Sequence, residues 1–176
     1  MINFIFPTEL YVALQMLDQI AIVDSDSMSV VNTIEINIVE SSDSCMDYTS
    51  EMDCNMSGGC EWMMGMCMES EGGMQMGNNT PHFIALDDLN GYWFTSTIAS
   101  GYIARFELIT NEFIDKIFVG DSPALITLNK NDKRLYCSRM MPMGNMMPGA
   151  ESTIIHEIDY SGNMLMSLNE FEIPSP

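Results

Sequence analysis

The sequence predicts an all-β chain: a four-stranded antiparallel unit repeated about three times and interrupted by two methionine-rich insertions. Three observations carry that expectation. The segment from Pro81, PHFIALDDLNGYWFTSTIASGYIARFELITNEFIDKIFVGDS, lines up with the one from Pro123, PALITLNKNDKRLYCSRMM resuming as STIIHEIDYSGNMLMSLNEFEIPS. Apolar and polar residues alternate along Tyr102-Ile103-Ala104-Arg105-Phe106-Glu107-Leu108 and along Ile154-Ile155-His156-Glu157-Ile158-Asp159. That is the period of two of a half-buried strand, and helical spacing fits neither stretch. Turn residues separate the runs, as they do between short antiparallel strands.

Taken in order, the first unit opens with MINFIF, read as a cropped first strand over residues 1–6, and continues through strands at 9–14, 19–24 and 29–38. The second unit has runs at 82–87, 91–97, 101–110 and 112–119; the third has them at 124–129, 134–141, 152–160 and 163–173. The organisation that follows is a blade over 1–39, a Cys/Met-rich insertion over 40–78, a blade over 79–122, and a blade over 123–176 carrying a Met-rich loop at 142–151. Four short strands every ~42 residues are the signature of a β-propeller blade. Propellers close with about four to eight blades, so the expectation is a propeller fragment of three blades with the remaining blades missing from this chain.

Six Lys plus Arg against 25 Asp plus Glu give a net charge of −19. Such a surface repels nucleic acid and anionic lipid and welcomes cations. No apolar run reaches the ~20 residues of a membrane span. Cys45, Cys54, Cys60 and Cys67 fall close together in a glycine-rich acidic segment, which points to disulfides and an oxidising, periplasmic or extracellular compartment. The export signal is then expected to be lost with the missing N-terminus.

Leu10-Tyr11-Val12 and Leu135-Tyr136-Cys137 stand in second strands, and Val119-Gly120-Asp121-Ser122-Pro123 stands at a blade junction. With the alternation around them these residues resemble the YVTN/YncE-type propellers, including surface-layer and quinoprotein-like members, over nearly everything outside residues 40–78. The departure lies in Asp88-Leu89-Asn90 and Lys130-Asn131-Asp132, where the family has a glycine-rich turn. The resemblance implies a non-catalytic, WD40-like scaffold binding a protein or small-molecule ligand through its loop-rich face, with a quinoprotein-like oxidoreductase as an alternative.

In an up-and-down blade the connection between blades and the connection between strands two and three leave the same face, so both insertions are expected on one side. They and their roots hold 14 of the 19 methionines. Thioethers are soft donors that select Cu(I) and need no deprotonation. The copper alternative takes Met64, Met66, Met68, Met74, Met76, Met143, Met146 and Met147 as donors, with His82 beside them at the start of an innermost strand. The bland alternative is that methionine serves as adaptable filler or contact surface.

The four clustered cysteines are spaced nine, six and seven residues apart, without the C-x-x-C knuckle of a zinc module, and as two disulfides they allow three pairings. Cys137 reads as a buried thiol at a strand position shared with Val12 and Phe94, and His156 as a structural or surface residue of a third strand. Asp24-Ser25-Asp26-Ser27 and Asp87-Asp88 lack the features of a calcium loop and read as solvated turns. Neither G-x-S-x-G nor G-x-x-x-x-G-K occurs, so no catalytic residue is assigned.

Overall fold

A computed structural model describes residues 9–38, 49–51, 54, 60–69, 78–120, 122–139 and 153–173. The structure is all-β, with propeller-type blades. The first sheet contains β1 (Glu9–Leu14), β2 (Gln19–Asp24) and β3 (Ser29–Glu35). A separate hairpin pairs β4 (Cys60–Met63) with β5 (Met66–Glu69). The second sheet runs β6 (Pro81–Asp87), β7 (Tyr92–Thr97), β8 (Tyr102–Glu107) and β9 (Phe113–Phe118). The third runs β10 (Pro123–Asn129), β11 (Arg134–Arg139), β12 (Thr153–Asp159) and β13 (Met166–Ile173). Every pairing is antiparallel between chain neighbours.

The strands expected at 101–110 and 163–173 are shorter than the sequence suggested. The chain leaves β8 at Glu107 because Asn111 donates its backbone N–H to the Glu107 carbonyl, closing a turn. The third sheet turns over residues 160–165 before β13 begins. The strand expected at 29–38 likewise ends at Glu35. The cropped strand at 1–6 and the loop at 142–151 lie outside the described residues.

Packing between sheets, not within them, makes the cores. Between the first and second sheets lie Ile20, Ile36, Ile38, Trp93, Ala104 and Phe106. The Trp93 indole stacks on the Phe106 ring at 4.1 Å, and Tyr11 tilts against the indole at 5.6 Å. Between the second and third sheets lie Phe94, Ile103, Val119, Ile126, Leu135, Cys137 and Ile158. Each alternate residue of β7 and β8 therefore serves a different neighbour, which is why both strands are buried on both faces. Burying one such side chain contributes about 1.5–3 kcal/mol.

The second interface carries a buried charge. Arg105 is 1% exposed, and its Nε donates to Asp115 at 2.8 Å. Its Nη1 donates to the carbonyls of Tyr160 (3.2 Å) and Gly162 (3.1 Å), and its Nη2 to that of Asn163 (2.9 Å). The other Asp115 oxygen accepts from Leu165 N at 2.6 Å, so one ion pair ties two strands of the second sheet to the outer turn of the third.

Candidate functional site

Antiparallel order puts the roots of both insertions at the same ends of the sheets. Thr80 precedes β6, whose first residue Pro81 pairs with Thr97; Arg139 ends β11 opposite Pro123, and Thr153 starts β12 opposite Ile173. This is the face opposite the Asp87–Tyr92 and Glu107–Phe113 turns.

The root of the first insertion is clamped. Asp18 turns the chain after β1 with φ 51°, and its carboxylate accepts from Asn79 N at 3.1 Å and Thr80 N at 2.6 Å. The same two residues accept from Ala99 N and Ile98 N through their carbonyls, joining the turn of the second sheet. On the other side of the insertion Lys116 Nζ donates to the Ile38 carbonyl while lying 4.6 Å from the Tyr102 ring centroid. At the place equivalent to Asp18 the second sheet has Gly101, φ 78°, where an added Cβ would meet Phe118 at 2.7 Å and the Gly120 carbonyl at 2.8 Å. A side chain fits the first turn and not the second.

Within the insertion a Cys54–Cys67 disulfide staples the β4–β5 hairpin, and Trp62 packs against it. Trp62 sits opposite Cys67, while Met63 sits opposite Met66 and Glu61 opposite Met68. Side chains alternate across a hairpin, so Met63, Met66 and Met68 share the face turned away from the disulfide. All three are exposed, and Met64 at the turn is 95% exposed. The cross-strand position of Met63 beside Met66 groups it with these thioethers. Met74, Met76, Met143, Met146, Met147 and Cys45 lie outside the described residues, as does the side chain of Cys60. Among the described residues no group of three His, Cys, Asp or Glu side chains is placed to hold a metal.

His82 belongs to the joint between sheets. Its Nδ1 lies 2.5 Å from Gln15 Nε2, in the short helical turn Gln15–Leu17 after β1. With the amide donating, Nδ1 is the acceptor and the ring proton sits on Nε2.

Two other sequence readings change. Register pairs Cys137 with Ile126 and Thr95 with Ile84, so Thr95, not Phe94, is the counterpart of Cys137. Cys137 is buried, and burial pushes its thiol up to about 12, as befits a small hydrophobe. Asp87 is fully buried instead of solvated: it accepts from Tyr160 Oη at 2.8 Å and from Asn90 N at 3.1 Å. Burial, then the hydrogen bond to Asp87, pushes the Tyr160 hydroxyl up. Asp24 does sit in an exposed turn, where the Ser27 backbone N–H and hydroxyl hold its carboxyl below the usual range. His156 is 5% exposed with Nδ1 3.4 Å from Glu170.

Among the described residues no helix is long and apolar enough to cross a membrane. No protein-family model matches the chain, and no curated protein sequence matches it. Solved structures of similar shape include one chain of a mitotic checkpoint complex, with 10% identity and a TM-score of 0.44, covering 94% of this chain and 63% of that one. A putative 6-phosphogluconolactonase from Bacteroides uniformis has 12% identity and a TM-score of 0.44, covering 98% of this chain and 56% of that one. The β-propeller domain of Cps50 (Swd1) from Myceliophteria thermophila has 9% identity and a TM-score of 0.41, covering 94% and 55%. The chain thus spans between 55% and 63% of the length of these three. The blades described above stand on their own strand registers and interfaces.

Proposed function

We propose that this chain acts as an extracytoplasmic propeller scaffold of the YVTN/YncE-like kind, binding a protein or small-molecule ligand through the face that carries both insertions. In this reading residues 1–39, 79–122 and 123–176 are blades and residues 40–78 are the variable binding element. The observation that carries it is the clamped root: Asp18, Asn79, Thr80 and Lys116 fix where the first insertion leaves the scaffold, on the same side as the second. Binding elements are commonly loops held by a rigid frame. A photo-crosslinking amino acid at Met64 is expected to trap a partner in the source cell, whereas the same group at the exposed Leu168 of the outer strand β13 is expected to trap none. Adducts from Leu168 alone would overturn the assignment of the face.

A second reading, Cu(I) binding, is favoured by the three thioethers of Met63, Met66 and Met68 on one exposed face of a stapled hairpin. Directly opposed residues have Cβ atoms about 5 Å apart, close enough for thioethers to converge on a soft ion. Titration with Cu(I) under reducing conditions is expected to show competition with a chelator of micromolar affinity, lost when the three become leucine. No competition by the unaltered protein removes this reading.

A further inference from the structure

The geometry points to a binding site for an arginine side chain of a partner polypeptide in the cleft between the first and second sheets, on the face opposite the insertions. It goes beyond the loop-face reading and shares no residue with it.

The chain contains this cleft twice, and the registers fix which residues correspond. Leu14 pairs with Gln19 as Thr97 pairs with Tyr102, and Ile22 pairs with Asn32 as Arg105 pairs with Asp115. Glu9 therefore takes the place of Tyr92, Ile22 that of Arg105, and Asn32 that of Asp115. Leu108 takes the place of Tyr160, since each donates its N–H to the matching carbonyl, Gly91 or Lys133. In the second cleft the Arg105 guanidinium fills the space, held by Asp115 and three carbonyls and lying 5.2 Å from the Tyr92 ring centroid. In the first, Ile22 stops short and no guanidinium enters.

The turn across the first cleft is also shorter. Ten positions separate the paired residues Arg105 and Asp115, and twelve separate Glu157 and Asn169. The result is an open groove of ≈ 1270 Å³ whose lining includes Ile22, Leu108, Tyr11, Asn32, Asn111 and Glu9. An apolar floor suits the aliphatic stem of an arginine, whose planar head then reaches the polar rim.

The charge at the rim selects a cation. Glu9 stands where the filled cleft has Tyr92, and Asp88 where it has Lys130. After burial itself, Glu9 and Glu107 are what raise the Tyr11 hydroxyl, so their fields reach the groove. Asn111 Oδ1 is engaged by Tyr11 Oη (3.3 Å) and Trp93 Nε1 (3.0 Å), which anchors that wall. The six Lys and Arg residues of the sequence are Arg105, Lys116, Lys130, Lys133, Arg134 and Arg139. None of them lines the groove.

The test is calorimetric titration with an acetylated, amidated heptapeptide, Gly-Gly-Ala-Arg-Ala-Gly-Gly, and with its twin in which neutral citrulline replaces arginine. The arginine peptide is expected to bind at least about tenfold more tightly, the scale of a hydrogen bond to a charged group. Glu9→Gln, at an exposed strand end, should weaken it severalfold; Glu112→Gln, outside the groove, should not. Ile22→Arg with Asn32→Asp supplies the missing guanidinium in cis and should abolish binding. Should that variant not fold, amide shifts at Ile22, Asn32 and Leu108 on titration of the unaltered protein carry the test. Equal affinity for both peptides, equal weakening by Glu9→Gln and Glu112→Gln, or shifts confined to other residues would overturn the proposal.

Discussion

Between the second and third sheets the cleft is closed by a charged side chain; between the first and second it is floored by an apolar one and left open. The closed cleft is the more demanding solution. A guanidinium leaves water at a cost of several kcal/mol, which is offset only when its donors find good partners. Arg105 meets that condition through Asp115 and the carbonyls of Tyr160, Gly162 and Asn163. The third sheet contributes the longer turn that brings those carbonyls across. Where the turn is short and the arginine is replaced by Ile22, the same backbone frame yields a groove. One repeated unit thus produces a joint in one place and a recess in the other.

The comparison is broken most severely at Arg105. Arg105→Leu leaves the Asp115 carboxylate partly buried without its cation and is expected to cost about 3–5 kcal/mol in urea unfolding. A loss below about 1 kcal/mol would mean that the ion pair does not join the sheets. Next in size is Asp18→Gly, which keeps the left-handed turn while removing the acceptor of the Asn79 and Thr80 N–H groups. A loss of about 1–3 kcal/mol is expected, with faster hydrogen exchange at those two amides. In the open cleft, Asn111→Gly frees the Trp93 indole N–H and should cost about 1 kcal/mol, visible as a change in near-ultraviolet circular dichroism from Trp93.

The smallest effect concerns pH. Burial holds the His156 pKa below its ordinary value, against the opposing pull of Glu170. The folded protein therefore binds fewer protons there than the unfolded chain. Stability is full above the ordinary histidine range and declines as pH falls through it toward the lowered folded value. His156→Ala copies the second sheet, where Ala104 stands at this position, and should flatten that decline in unfolding measured between neutral and mildly acidic pH.

The alternation around Tyr102–Glu107 and the Pro81/Pro123 repeat made the sheets legible, because strand period and turn chemistry are local properties. The role of Asp18 as acceptor for residues 61 and 62 positions away depends on how two sheets pack, which no local pattern carries. The Arg105–Asp115 pair hid in an alternating strand pattern, where an arginine reads as the solvent side. The open cleft was equally hidden: Ile22 looks like any core residue, and the recess exists only by contrast with its counterpart. Asp87 misled for the opposite reason, since an acidic pair before Leu89-Asn90 reads as exposed until Tyr160 arrives from 73 residues away.

The claim that a desolvated ion pair makes the closed cleft is tested most directly by a double-mutant cycle. Unfolding free energies of the unaltered protein, Arg105→Leu, Asp115→Asn and the pair together give the coupling between these two side chains. A coupling of about 2 kcal/mol or more is expected; strictly additive losses would contradict the account.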